Sequence, residues 1–219
     1  MIQAHIAWLR DDGRALDGLS LPAHEQEEMQ RFKHDSRQRS FLLSRLLLRQ
    51  TLSTLLPDQP LHFSRAESGR LMLTGDSGWH ISLSHADAGI AVIAAQRPCG
   101  IDIEVSRNVV MEKIAARYFS PQENTALLAT PDAERPDHFF RLWTLKEASV
   151  KALGEGLAEN LARLAFDVSN MPPQLLNTNP ALQLWQIQAA PHFIAAAVSG
   201  HETVDWHSRQ LSIPDLAPA

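Results

Sequence analysis

The sequence predicts an α+β protein built from two similar subdomains with a cleft between them, where ligand sites often lie. Three observations carry that expectation. A chain of 219 residues that is 44% apolar can bury one sizeable core or two small ones. Each half reads as helices followed by three strands. The last two strands of each half are an alternating strand and a small-residue strand, Ile90 to Ala95 in the first half and Phe193 to Val198 in the second. The subdomains are expected at residues 1–105 and 106–219, joined near residues 104–110. A single α+β domain is the alternative.

Taken in order, Ile2 to Leu9 alternates loosely and reads as a strand, followed by a polar turn around Asp11 to Gly18. From Pro22 to Leu56 there is no internal Gly or Pro. Phe32, Phe41, Leu42, Leu46, Leu48, Leu52 and Leu56 recur at helical spacing, as one long helix or as two meeting near Asp35, with Pro57 ending the run. A strand begins at Leu61, Phe63 and Arg65 and runs toward a turn at Ser68-Gly69-Arg70. His80 to Leu83 and Gly89 to Ala95 read as two more strands. After Ile101-Asp102-Ile103-Glu104 come helices from Met111 to Phe119, after Pro121, and from Asp137 to Leu153. Strands then follow at Ala165 to Val168, Leu182 to Gln188 and Phe193 to Ser199. The tail beyond Trp206, with Pro214 and Pro218, reads as a loosely held terminus that could also cover part of the core.

The formal charge of −5 argues against a sequence-independent nucleic-acid binder, which needs a basic surface. The single cysteine, Cys99, allows no internal disulfide, and no stretch reads as a secretion signal or a spanning helix. A cytoplasmic protein without membrane contact is expected. The ten histidines are scattered without metal-ligand spacing, so a zinc site is not expected. Positive charge is concentrated locally: residues 29–70 carry +5, leaving −10 for the rest of the chain.

Two acidic features stand out. Asp102 and Glu104 lie two apart in a strand-like run, so both project from one face while Ile101 and Ile103 face the core. Converging carboxylates repel unless a cation joins them, and oxygen ligands favour magnesium or calcium; the bland alternative is a solvated acidic pair at a strand end. In the helix ending at Gly154, Trp143, Lys146, Glu147, Val150 and Lys151 recur at i, i+3, i+4, i+7 and i+8, one stripe. The bland alternative there is a surface Glu147–Lys151 pair worth a few tenths of a kcal/mol.

The string Gly100-Ile101-Asp102-Ile103-Glu104, then Phe119-Ser120-Pro121-Gln122-Glu123, then Trp143-Thr144-Leu145-Lys146-Glu147-Ala148 through Lys151-Ala152-Leu153-Gly154-Glu155-Gly156-Leu157, closely resembles the 4′-phosphopantetheinyl transferases of the longer, two-subdomain, surfactin-synthetase-activating type. Ile81-Ser82-Leu83-Ser84-His85 looks like the family's Ser-His element. Ser68-Gly69-Arg70-Leu71 resembles its Gly-Lys-Pro turn, with Leu71 in place of the proline. The resemblance covers roughly residues 30–168.

That resemblance implies the fold of the family, α+β with two similar subdomains in a pseudo-twofold arrangement and the active site between them, and transfer of the 4′-phosphopantetheine arm of coenzyme A to a serine of an apo acyl or peptidyl carrier protein, with release of 3′,5′-ADP. It implies Mg2+ held by Asp102, Glu104 and Glu147, and phosphate contacts from Lys151, Lys146, Ser84 and His85. Arg65 and Arg70 are implied at the 3′-phosphate and adenine end, with Arg37, Arg39 and Arg45 of open register. Glu147, a water near the metal, or Glu123 would accept the serine proton. The basic surface would dock an acidic carrier, aided by exposed apolar residues around Met111 to Phe119. A monomer is expected. The rival readings are a non-catalytic module that binds carrier or coenzyme A, and a magnesium-dependent phosphodiesterase.

Overall fold

The computed structural model describes residues 1–107, 109–154, 161–177 and 181–217. In chain order it contains strand β1 (Ile2–Arg10), helices α1 (Ala23–Gln30) and α2 (Asp35–Ser53), and strands β2 (Phe63–Arg65), β3 (Leu71–Leu73), β4 (His80–Ala86), β5 (Gly89–Ala95) and β6 (Cys99–Val105). Helices α3 (Met111–Tyr118), α4 (Pro121–Ala129) and α5 (Arg135–Leu153) follow. Strands β7 (Phe166–Asp167), β8 (Gln174–Leu175), β9 (Leu182–Ala189), β10 (His192–Ser199) and β11 (Val204–Leu211) come last. No helix among the described residues is long and apolar enough to cross a membrane.

The layers follow from where apolar side chains point. Leu43, Leu46 and Leu47 of α2 pack on Leu9, Ile90, Val92 and Ala94, one face of the sheet β11-β1-β5-β4. The other face of that sheet, through Ile6, Ala91 and Ile93, meets Ile101, Ile103, Ile194 and Ala196 of the sheet β6-β10-β9. Behind the second sheet, Phe193, Ala195 and Ala197 pack against Phe140, Leu145 and Ala148 of α5. The order is therefore helix, sheet, sheet, helix. Strands β5 and β10 are buried on both faces, which explains their small, unalternating side chains.

The pairing departs from a simple division at residue 105. Strand β6 pairs with β10 and lies in the second sheet, whereas β11 pairs in parallel with β1, from Ile2 opposite Val204 to Leu9 opposite Leu211. The tail is thus corrected. Instead of a loose terminus, the chain beyond Trp206 completes the first sheet, and Ile213 and Leu216 are buried in its core. Strand β11 escapes its apolar pattern because it is an edge strand, with His207, Ser208, Arg209 and Gln210 exposed. Pro218 lies outside the described residues.

Two ends are set by local chemistry. At the start of α4, Ser120 accepts from Glu123 N while Glu123 accepts from Ser120 N, a reciprocal capping box with Pro121 at the first position. Helix α5 stops at Gly154, whose φ of 72° is left-handed.

Candidate active site

Asp102 and Glu104 occupy the face of β6 that looks toward α5, while Ile101 and Ile103 enter the core between the sheets. Two residues before Asp102, Gly100 lets the helix come close. A Cβ there would lie 2.0 Å from Ala148 O, 2.6 Å from Ala152 N and 2.7 Å from Lys151 Cβ. That contact brings the Lys151 side chain over the strand. Its Nζ donates to Asp102 Oδ1 at 2.8 Å, to Ile101 O at 3.1 Å and to Ser84 Oγ at 3.2 Å. Ser84 Oγ in turn donates to Asp102 Oδ1 at 2.8 Å, tying the end of β4 to β6.

Asp102, Glu104 and Glu147 line a pocket of about 470 Å³, walled by Trp143, Phe139, Phe140, Val109 and Ile114. Burial, and then the charge of Asp102, raises the Glu104 carboxyl above its ordinary value. Burial, again followed by Asp102, pushes Glu147 up to about 7. Glu104 Oε1 accepts from the Trp143 indole at 3.2 Å. Arg107 Nη1 lies 3.0 Å from Oε2, which is buried and has no hydrogen bond, as is Asp102 Oδ2.

Among the described residues no three His, Cys, Asp or Glu side chains are set closely enough to cage a metal. The Lys151 ammonium stands as the cation against Asp102. The donor chemistry nevertheless suits a hard divalent ion. All three groups are carboxylates, two of their buried oxygens lack hydrogen-bond partners, and burial, with the charge of Asp102 next, raises both Glu104 and Glu147 above their ordinary value.

A second cavity of about 720 Å³ lies beside this pocket, and His85 lines both. The walls of the second cavity carry Arg37, Arg45, Arg65, Arg70 and Lys151. These cations are not equally available. Arg45, whose side chain is 4% exposed, lies 3.2 Å from Glu25 and 3.5 Å from Glu28, and burial lowers its pKa. Arg65 pairs with Glu28 at 3.1 Å. Arg70 donates to Cys99 O at 3.0 Å and has no acidic partner among the described residues, and Arg37 is exposed. Arg39 is turned away, held by Asp11 through two 2.6 Å hydrogen bonds.

Two of the expected site residues lie elsewhere. Glu123 and Lys146 are fully buried and pair at 2.8 Å beneath α5, lining neither cavity. Lys146 Nζ donates to Leu161 O at 2.7 Å and to Leu164 O, and sits over the rings of Phe119 and Phe166. Glu123 accepts from Phe166 N at 3.0 Å and Ser120 N at 2.7 Å. The expectation that Lys146 meets phosphate and that Glu123 is a base is corrected accordingly. Neighbouring residues point about 100° apart round a helix, so Lys146 leaves the face that Glu147 occupies. Phe119 is likewise buried, so the exposed apolar patch near α3 is Val110 with half-buried Met111 and Ile114. Glu155, Gly156 and Leu157 of the third motif lie outside the described residues.

Trp143 and Gly100 contribute more than their sequence context suggested. The indole was legible as an aromatic of the helix face, whereas its bond to Glu104 depends on the spacing between β6 and α5. Gly100 was readable only as part of a motif, and Arg107 carried no signal.

A cationic cavity joined to a carboxylate pocket defines a site for an elongated polyanion and an accompanying cation. Residues 98–202 match the family model described as the 4′-phosphopantetheinyl transferase superfamily. The chain is 31% identical over 198 residues to the 4′-phosphopantetheinyl transferase HetI of Nostoc sp. (strain PCC 7120), spanning 86% of this chain and 83% of that protein. It is 32% identical over 136 residues to the 4′-phosphopantetheinyl transferase Sfp of Bacillus subtilis (strain 168), spanning 61% of this chain and 60% of that protein. A putative 4′-phosphopantetheinyl transferase of Synechocystis sp., slr0495, is 27% identical over 177 residues, 78% of this chain and 72% of that protein. The chain belongs to the 4′-phosphopantetheinyl transferase superfamily.

Proposed function

We propose that this protein transfers the 4′-phosphopantetheine arm of coenzyme A to a serine of an apo acyl or peptidyl carrier protein, releasing 3′,5′-ADP. The observation that carries this reading is an arginine-lined cavity beside a carboxylate pocket, the two sharing His85, with Lys151 of the first bonded to Asp102 of the second. The cavity suits the phosphoadenosine end, with Arg70 as its anchor beside Arg65. His85, Ser84 and Lys151 suit the diphosphate at the junction.

In the reaction, the serine Oγ bonds to the β-phosphorus as the bond from that phosphorus to the bridging oxygen breaks, and the electron pair leaves with 3′,5′-ADP. Glu147 takes the serine proton, directly or through one water. Asp102, Glu104 and Glu147 would hold Mg2+, which would neutralise the charge of the diphosphate and its leaving group. Lys151 holds Asp102 in place through a 2.8 Å bond.

The subdomains proposed at residues 1–105 and 106–219 divide the labour. The first supplies the arginines, Ser84, His85, Asp102 and Glu104, and the second supplies α5. One chain carries every group named, so a monomer suffices, and a cytoplasmic setting suits a coenzyme A substrate.

The test is intact-protein mass spectrometry of an apo carrier incubated with this protein, coenzyme A and Mg2+. Gain of one phosphopantetheine arm, abolished by chelator, supports transfer. Coenzyme A binding without gain on any carrier type would favour the non-catalytic module. Glu147→Gln should reduce transfer at least about 100-fold with the fold retained; near-native turnover would remove Glu147 from its role.

A further inference from the structure

We propose that the buried Glu123–Lys146 pair is a positioning device for the transfer reaction, fixing the rotation of α5 about its axis so that Glu147 enters the carboxylate pocket. This inference rests on the function proposed above.

Both side chains of the pair are 0% exposed, and all their recorded contacts lie within the second half of the chain. Burying two charges is expensive, and well-packed apolar residues of similar volume often stabilise a fold as well or better. Stability alone is therefore a weak reason to keep such a pair. What the pair does that apolar residues would not is fix direction. The Lys146 ammonium is bonded to Leu161 O, Leu164 O and the Glu123 carboxylate, while that carboxylate accepts from Ser120 N and Phe166 N. Four segments meet at one charge pair: the start of α4, the middle of α5, the 3-10 turn at Leu161–Arg163 and the first residue of β7.

On another flank, α5 is held by its close contact with Gly100. Glu147 is the next residue along from Lys146, so its direction is set between these two restraints. A helix with its side chains has a radius of about 5–6 Å, so a rotation of about 10° moves a carboxylate by about 1 Å. A misplacement of that size at a reacting centre can cost about 100-fold in rate. Neither partner lines a cavity, so the effect must pass through Glu147 rather than through contact with substrate.

The experiment compares Lys146→Met, Glu123→Gln and the double variant Glu123→Gln/Lys146→Met, each first checked for folding by circular dichroism melting. Turnover is measured with apo carrier and coenzyme A, and Mg2+ affinity separately by calorimetry without substrate. Lys146→Met leaves Glu123 as an unpaired buried charge and is expected to lower the melting temperature. The double variant removes that charge and is expected to recover most of the lost stability. The expected result is that the double variant still shows kcat at least tenfold down and Mg2+ affinity at least threefold weaker, with KM for coenzyme A within threefold of wild type. Lys146→Arg, which keeps the cation, should regain part of the turnover.

Native kcat and Mg2+ affinity in the folded double variant would overturn the proposal and leave the pair with a purely structural role. If the double variant does not fold, Glu123→Gln decides alone: native kcat and Mg2+ affinity overturn the proposal, and the losses stated above support it. Failure of the wild-type protein to modify any carrier would instead overturn the function proposed above, and the Mg2+ affinities of the folded variants would still test the positioning role.

Discussion

Replacing Gly100 by Ala tests how the site is assembled. The added methyl would lie 2.0 Å from Ala148 O, 2.6 Å from Ala152 N and 2.7 Å from Lys151 Cβ, all on α5 and mostly backbone. Backbone cannot swing aside as a flexible side chain does, so the helix must retreat from β6. Restoring ordinary van der Waals separation from Ala148 O requires a shift of at least about 1.4 Å. Over-packing of this kind costs about 1–3 kcal/mol, which for a chain of this size is a fall of about 2–12 °C in melting temperature. The catalytic consequence is larger. Lys151 Nζ, now 2.8 Å from Asp102 Oδ1, and Glu147 both ride on the displaced helix. Displacement of this order can cost about 100-fold in turnover. The assay is steady-state formation of holo carrier beside a thermal melt of the same preparation. A folded Gly100→Ala protein with turnover within threefold of wild type would refute the claim that this contact sets the site geometry.

Other changes separate the parts of the site. Trp143→Phe keeps an aromatic ring against Phe139 but removes the indole donor to Glu104, and should raise the Mg2+ needed for half-maximal transfer about tenfold; an unchanged Mg2+ titration would exclude a role for that bond. Arg70→Ala removes a cavity cation with no acidic partner among the described residues and should raise KM for coenzyme A at least about tenfold, with kcat little changed and with a weaker dependence of KM on salt; a fall in kcat at constant KM would place Arg70 elsewhere in the mechanism. His192 is held below its ordinary value of 6.5 by burial, and next by Arg10, so the unfolded chain takes up its proton first. Its contribution to stability is therefore present above pH 6.5 and is lost as pH falls through the lowered folded value, by at most about 1.4 kcal/mol per pH unit. The stability gap between wild type and His192→Gln should narrow from pH 7.5 to 5.5, and urea titrations that give a constant gap would refute it.

The placement of Asp102 and Glu104 on one face was readable because strand periodicity is a local property: Ile101 and Ile103 had to go to a core, and the carboxylates took the other side. The break between α1 and α2 near Asp35, the start of α4 at Pro121 and the stop at Gly154 were legible for the same reason. Lys146 was not. Its spacing placed it in a stripe with Trp143 and Glu147, but a stripe of five residues spans enough of a helix to face two environments. The carbonyls of Leu161 and Leu164 that receive its ammonium lie 15 and 18 residues away in the chain. Strand β11 was hidden differently, since its energy lies in backbone pairing to β1 across nearly the whole chain, and its exposed side chains show no apolar alternation. Local rules find faces and ends; they do not find which distant backbone a polar residue will meet.

The location of the site follows from how the two sheets end. Strand β4 is the edge of one sheet and β6 the edge of the other, and no backbone ladder joins them. Side chains close the seam instead. Cys99 Sγ donates to His80 O at 3.4 Å, Ile101 N donates to Ser82 Oγ at 3.3 Å, and Ser84 Oγ donates to Asp102 Oδ1 at 2.8 Å. These contacts advance along both strands together, from His80 and Cys99 toward Ser84 and Asp102, so the two edges run in the same direction. Their carboxyl ends then deliver His85 from one sheet and Glu104 from the other to the same pocket. Such a seam is rigid where it is apolar, through Cys99 and Ile101, and polar where it opens. Helix α5 crosses it at Gly100, placing Lys151 on the cationic side and Glu147 on the acidic side. The separation of charge across the site is therefore a consequence of helix periodicity laid over a strand seam. A substitution that shifts α5 should disturb the two cavities together, whereas one confined to the arginines of the larger cavity should disturb only binding.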